Sequence, residues 1–505
     1  MSMSLAAGSR PFALSVVATL ASLTGLVAFT AAAGVVDSMP FATITALAAS
    51  GLAAWWCATR STFARHLQHV PRAFRLTFAA GAILVLAQLA VLGTFIIDPN
   101  VATWPASVAR PWQSRHSCVS AYWVAARQSL TAPDLYLESV YRPAIRPDVP
   151  RRPNLGPFFV DVFEYPPTFL PLPRLLAAAT PDFWRFRRLW FALNLGAVVF
   201  GLVVVARRLD APLATHALWL TPLVLLSPNV VGTLQAGNVQ LLFLVACAVA
   251  MLLLERGHHA AGGVLLAYAI ASKLFPGVLL LYLLRRGDWR AIGWTAAAGV
   301  VLCLVTVIDL GSTPFVAFLH HLPKLLSGEA FPGLFRPEAI AVNESVPGLA
   351  FKLSLLGIGG DGFAVAKVVG WVYTVVLIAA TWWLAHPSHD RACAPLAWVS
   401  ILILATMRSP FLPGYGAFPA LWLATLLTAI VWHRPAARAV VLALWVMLTF
   451  ALGQNAAPPL VNAVITLTHT IASFWLVAMA MQLLRDPASV SRPVLAADAP
   501  GPALA

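Results

Sequence analysis

The chain has 505 residues, 60% hydrophobic and only 10% charged, with a mean hydropathy of +0.81. That balance excludes an ordinary soluble domain and points to an all-α, multi-spanning membrane protein. The net charge of +14 does not signal nucleic acid, because the basic residues, 29 of 33 being arginine, lie between apolar runs and form no stripe interleaved with aromatics.

A hydrocarbon core of roughly 30 Å takes about 20 apolar residues per helix. Runs of that kind predict spans near 11–35, 41–58, 73–97, 189–206, 211–228, 238–254, 260–272, 274–284, 291–310, 365–384, 393–407, 415–432, 439–453 and 461–483, hence about 12–14 transmembrane helices. The first exceeds the apolar core of a cleaved leader and more spans follow, so it reads as a retained helix. The pair at 260–272 and 274–284 is short and reads as one broken element. Arginines at 60, 65, 72, 207, 208, 285, 286, 290, 391, 434, 438 and 485 fall on one side when the helices alternate, whereas the loops 36–40, 229–237 and 454–460 carry no lysine or arginine. The inside-positive rule then puts both termini in the cytoplasm. Two long segments, 98–188 and 311–364, emerge outside. Arginine and alanine usage suggests a GC-rich bacterial genome, and so a bacterial cytoplasmic membrane. Residues 1–485 read as a single transmembrane domain and the Pro- and Ala-rich stretch 486–505 as a disordered cytoplasmic tail. The five cysteines show neither zinc-site spacing nor a disulfide framework.

Polar residues worth attention converge on the outer side. Asp98 directly follows the apolar Phe95-Ile96-Ile97; it is a general-base candidate, or simply a boundary residue. Asp161 and Glu164 precede Pro166-Pro167, which favours an extended backbone; without a catalytic role they are a solvated loop. Asn238 and Gln240 open a membrane helix, as sugar-hydroxyl partners or as caps. Lys273, one of four lysines, sits between apolar runs. A cation at that depth needs water, a partner or an anionic ligand, and a lipid phosphate suits it; the plainer reading is a snorkelling side chain. His320, His321 and Lys324 share a helical face as a basic patch for phosphate, or as membrane-surface amphipathicity, and no third ligand stands beside the histidines to hold a metal. Arg408 is a further outward cation. No Gly-rich nucleotide loop follows a strand.

Several segments, in order, resemble glycosyltransferase family 87: Ala121-Tyr122-Trp123-Val124-Ala125-Ala126, Asp134-Leu135-Tyr136, Phe163-Glu164-Tyr165-Pro166-Pro167, Gly237-Asn238-Val239-Gln240, Ser272-Lys273-Leu274-Phe275-Pro276, Asn343-Glu344-Ser345 and Ser409-Pro410, across about 73–430. The resemblance implies a C-type glycosyltransferase fold. It also implies metal-independent, inverting transfer of a sugar, typically mannose, from a polyprenyl-phosphate donor to a glycolipid or glycan hydroxyl on the outer face, with a carboxylate base and no cofactor. Tyr122, Tyr165, Asn238, Gln240 and Asn343 would contact substrate. The sequence departs from the family pattern where an aspartate usually stands shortly before the tyrosine matched by Tyr122; here it reads His116-Ser117-Cys118-Val119. The base is then another carboxylate, with Asp98 preferred, then Glu164 and Asp161, or catalysis has changed or been lost. The rival reading is a transporter or flippase of lipid-linked sugars. It is disfavoured because the sequence shows one broken pair and no second copy.

Overall fold

The computed structural model describes residues 10–59, 72–98, 116–132, 134–141, 155–206, 221–389, 393–431, 434–449 and 457–485. Arg60, Arg65, Arg207, Arg208, Arg391 and the stretch 486–505 lie outside them. The chain is an all-α, multi-pass membrane protein. The main helices are α1 (Arg10–Val35), α2 (Met39–Thr59), α3 (Arg72–Ile97), α4 (Cys118–Gln128), α5 (Pro171–Ala179), α6 (Phe183–Ala206), α7 (Pro228–Ala236), α8 (Gln240–Glu255), α9 (His259–Lys273), α10 (Val278–Arg285), α11 (Trp289–Leu310), α12 (Thr313–Ser327), α13 (Gly362–Leu384), α14 (Ala394–Thr406), α15 (Ala417–Ile430), α16 (Pro435–Thr449) and α17 (Pro459–Arg485). The one sheet among the described residues is a parallel pair, β1 (His116–Ser117) and β2 (Phe159–Val160).

Six described helices, α1, α2, α3, α11, α13 and α17, are each long and apolar enough to cross a membrane, or seven spans if the bent pair α7–α8 counts as one. Among the described residues fewer helices than the expected 12–14 pass that test of length and composition, for local reasons. The predicted spans at 393–407, 415–432 and 439–453 are helices of 13, 14 and 15 residues, short of a full crossing. The 211–228 span falls mostly outside the described residues, and α6 opens with Arg185, Arg187 and Arg188. The lipid-facing surfaces are plain on α11, where Val300, Val301, Leu304 and Ile308 are exposed, and on α13, where Val368, Val372 and Val375 are.

Buried charge here ties helices together. Arg187, 1% exposed, donates to Phe95 O and Ile96 O at the end of α3 and lies between the Phe95 and Phe158 rings. It satisfies carbonyls that α3 leaves open at its C-terminus. At one end of the bundle Arg286 donates to His386 O and His389 O, Arg285 covers Trp382, and Arg485 covers Trp383. The basic residues near 285–290 and 485 therefore share one end, as the alternation of helices requires.

Two helix breaks shape the other half. α7 ends at Gly237 in the left-handed region (φ 68°), and α8 departs at 104° to it. A Cβ at Gly237 would sit 1.9 Å from Val119 Cγ2, and its carbonyl accepts from Trp190 Nε1 at 2.8 Å. Gly237→Ala is expected to destabilise the chain by about 2–5 kcal/mol, from left-handed backbone cost plus overpacking. Thermal unfolding in detergent measures this; adding Val119→Ala should recover part of the loss, and an unchanged melting temperature for the single variant would refute the account. The second break follows Lys273, where Leu274 takes φ 40°, a strained value for a residue with a Cβ, before a 3₁₀ turn at Phe275–Gly277 and α10.

Candidate active site

Both breaks open onto one cavity of about 1560 Å³. Its aromatic floor is set by Tyr122 of α4, whose ring packs on Tyr165, Phe169 and Trp190 with centroids 5.0–5.4 Å apart. Pro166 and Pro167 force the extended strap that carries Asp161 to Tyr165, and Thr168 Oγ1 donates to Ala271 O, binding that strap to α9. Tyr165 OH and Tyr122 OH lie 3.0 Å apart, and Tyr122 OH accepts from Val239 N at 3.3 Å. Strap, α4 and the α7–α8 elbow thus form one hydrogen-bonded wall.

Lys273 and Glu164 line this wall together, with Lys273 Nζ 5.4 Å from the centre of the Tyr165 ring. Lys273 ends α9, where a cation is favoured by the helix dipole. Burial, followed by the neighbouring Asp161 and Cys118, pushes the Glu164 carboxyl well above its ordinary range, and Lys273 opposes the shift. Asp161 lines the cavity too, its Oδ2 3.6 Å from His116 Nε2. Burial disfavours the charged form of His116, but Cys118 and Asp161 more than offset it and raise its pKa to about 9.

The elbow residues divide their roles. Asn238 Oδ1 caps Gln240 N at 2.9 Å and its Nδ2 donates to Cys118 Sγ at 3.3 Å, so its carboxamide is already engaged. Gln240, 1% exposed, lines the cavity with Oε1 lacking a hydrogen-bond partner among the described residues. A buried acceptor left open costs about 1–3 kcal/mol, which a ligand hydroxyl would recover.

Other expected site residues go elsewhere. Asp98 closes α3, its N–H donating to Thr94 O, and does not line the cavity. Asn343 is also absent from the lining: it pairs with Pro413 in an isolated bridge, accepts from Leu412 N and Ser345 N through Oδ1, and donates to Pro410 O through Nδ2. Three hydrogen bonds of its side-chain amide clasp two loops, which gives it a structural part in this arrangement. In the basic patch only Lys324 lines the cavity; His320 is exposed and His321 stacks on Tyr136 at 4.8 Å. Arg408 lines the cavity, its Nε donating to Thr374 Oγ1 and its guanidinium lying over Gly370. Sequence reading did not select Lys367, Arg336 or Tyr415, which also line it. The helical spacing of Lys367, Trp371 and Thr374 at the start of α13 was the available signal.

The sequence profile of Glycosyltransferase family 87 matches residues 163–412, the segment from the strap carrying Glu164 through Lys273 to the loop after Arg408. Over that segment the chain is similar to glycosyltransferase family 87. It is also similar to Alpha-(1->6)-mannopyranosyltransferase A of Mycobacterium tuberculosis, 28% identical over 275 residues, 49% of this chain and 49% of the relative. The chain thus spans about half the length of the curated relative it matches. No solved structure gives a significant match. The matched segment holds both helix breaks and most of the cavity wall, whereas the His116–Tyr122 stretch of that wall lies before it.

Proposed function

We propose that this protein transfers a sugar, mannose or a related hexose, from a polyprenyl-phosphate donor to an acceptor hydroxyl at the outer face of the cytoplasmic membrane, with inversion. The observation that carries the reading is Glu164 and Lys273 on one wall of a cavity large enough for a lipid-linked sugar. A base and a phosphate-neutralising cation are the two groups such a displacement requires. Glu164 accepts the hydroxyl proton as the acceptor oxygen bonds to the anomeric carbon. The bond to the phosphate oxygen breaks with its electron pair, and Lys273 stabilises the departing charge. Arg408, Lys324 and Lys367 supply further positive potential along the cavity. The mannosyltransferase name of the mycobacterial relative supports mannose as the sugar.

Gln240 is assigned to a sugar hydroxyl. Gln240→Leu removes an unpaired buried acceptor, so the melting temperature is expected to hold or rise while KM for the donor increases roughly tenfold, about 1–2 kcal/mol. An unchanged KM would remove the assignment.

The structure contains a second broken helix pair, α7–α8, which the sequence did not reveal, so the argument against a flippase from a single break does not stand. Both breaks deliver side chains to the same cavity, which suits one reaction centre. Purified protein incubated with a labelled polyprenyl-phosphate sugar and candidate acceptors separates the readings. A new glycoside is the expected result, and redistribution of donor between leaflets without a product would establish a flippase.

A further inference from the structure

Outside the Glu164–Lys273 pair, the cavity wall holds a second grouping. His116 Nε2, Cys118 Sγ and an Asp161 carboxylate oxygen all lie within 4.8 Å of one another. Nε2 is 3.3 Å from the sulfur and 3.6 Å from Asp161 Oδ2. Tetrahedral bonds of about 2.0–2.3 Å place neighbouring N, O and S ligands roughly 3.3–3.6 Å apart. The parallel pairing of His116 with Phe159 and Ser117 with Val160 brings the two chain segments into this register.

The geometry separates two accounts of the trio. A hydrogen-bond relay would use both ring nitrogens, one toward the thiol and the other toward the carboxylate. Here the same nitrogen faces sulfur and carboxylate, so the donors converge on a point. The sulfur is also supported from outside: Asn238 Nδ2 donates to it at 3.3 Å and the Tyr415 hydroxyl lies 3.8 Å away. Such contacts orient a metal-bound sulfur. Cys118 is buried, while the His116 and Asp161 side chains keep 31% and 40% exposure, so the site opens into the cavity.

We propose that His116, Cys118 and Asp161 bind a divalent transition metal of the zinc class, with its fourth position open to the cavity. The mixed N, S and O donor set suits that class over magnesium or calcium, which take oxygen ligands. Three protein ligands with one open position is the arrangement of zinc sites that bind a substrate oxygen. The inference concerns binding and stands apart from the sugar-transfer reading.

The test uses the full chain purified in detergent, stripped with a chelator and titrated with Co²⁺. One equivalent is expected to produce a sulfur-to-cobalt charge-transfer absorption in the near ultraviolet, abolished by Zn²⁺ in competition. Cys118→Ser should eliminate the band, and His116→Gln or Asp161→Asn should weaken binding at least tenfold. No band, or a band that survives Cys118→Ser, would overturn the proposal. X-ray absorption on the zinc-loaded wild-type chain needs no variant: one sulfur among nitrogen and oxygen ligands is expected, and a shell without sulfur overturns the site. Neither measurement depends on transfer activity, so a failed sugar assay leaves it intact.

Discussion

Lys273→Ala is expected to lower kcat/KM for a lipid-phosphate sugar by about a thousandfold while leaving the chain folded in detergent. The lysine ends α9 because the helix cannot continue through the strained Leu274 and the turn containing Pro276. That break turns an ammonium toward a cavity and away from lipid. Preorganised charge in a partly desolvated site stabilises a leaving phosphate far more than water-exposed charge, and removing one such donor typically costs about 3–4 kcal/mol. Lys273→Arg should retain part of the rate, because charge survives while geometry changes. Turnover at the wild-type level in Lys273→Ala would end the phosphate role. A melting temperature near wild type separates lost chemistry from lost fold.

Glu164→Gln should reduce kcat by about 10²–10⁴-fold with little change in KM, because the amide keeps the shape and cannot accept the proton. The pH profile gives an independent reading. The folded-state pKa of Glu164 is raised, so its basic form appears only as pH climbs through that raised value. The acid limb of kcat/KM is therefore expected above the ordinary carboxylate range, and a limb within that range would place the base elsewhere. Stability follows with a definite sign. Between the unfolded and folded pKa values the folded chain holds the proton more tightly, so this group's contribution to stability declines as pH rises. Glu164→Gln lacks that slope, and its melting temperature relative to wild type should improve with pH across the window. A double-mutant cycle with Lys273→Ala should be strongly non-additive if the two residues act at one centre.

How far the sequence reached differs between these two residues. Lys273 was legible alone: an isolated ammonium between apolar runs needs a reason, and proline after it announces the break. Glu164 was visible as a carboxylate before paired prolines, but Asp98, directly after the apolar Phe95-Ile96-Ile97, was preferred to it. Only the path of the chain separates them, placing Glu164 in the cavity wall and leaving Asp98 at the end of α3. Asn343 misled for a related reason. A carboxamide in an outward loop looks available for sugar, yet here it adds side-chain bonds to the backbone pairing between residues 343–346 and 407–413.

Composition and the spacing of apolar runs determined an all-α membrane protein, because burial in lipid demands long apolar helices whatever their arrangement. The ordered segments carry the resemblance to glycosyltransferase family 87, and the profile match over 163–412 falls on most of them. Tertiary structure decided how many helices are full-length, since bends such as the 104° elbow at Gly237 depend on close approach to Val119 and Trp190. It also brought His116 and Cys118 to Asp161 across more than forty residues through a two-residue parallel ladder. No local periodicity records a pairing that short, and the convergence of donors exists only once both strands are in place.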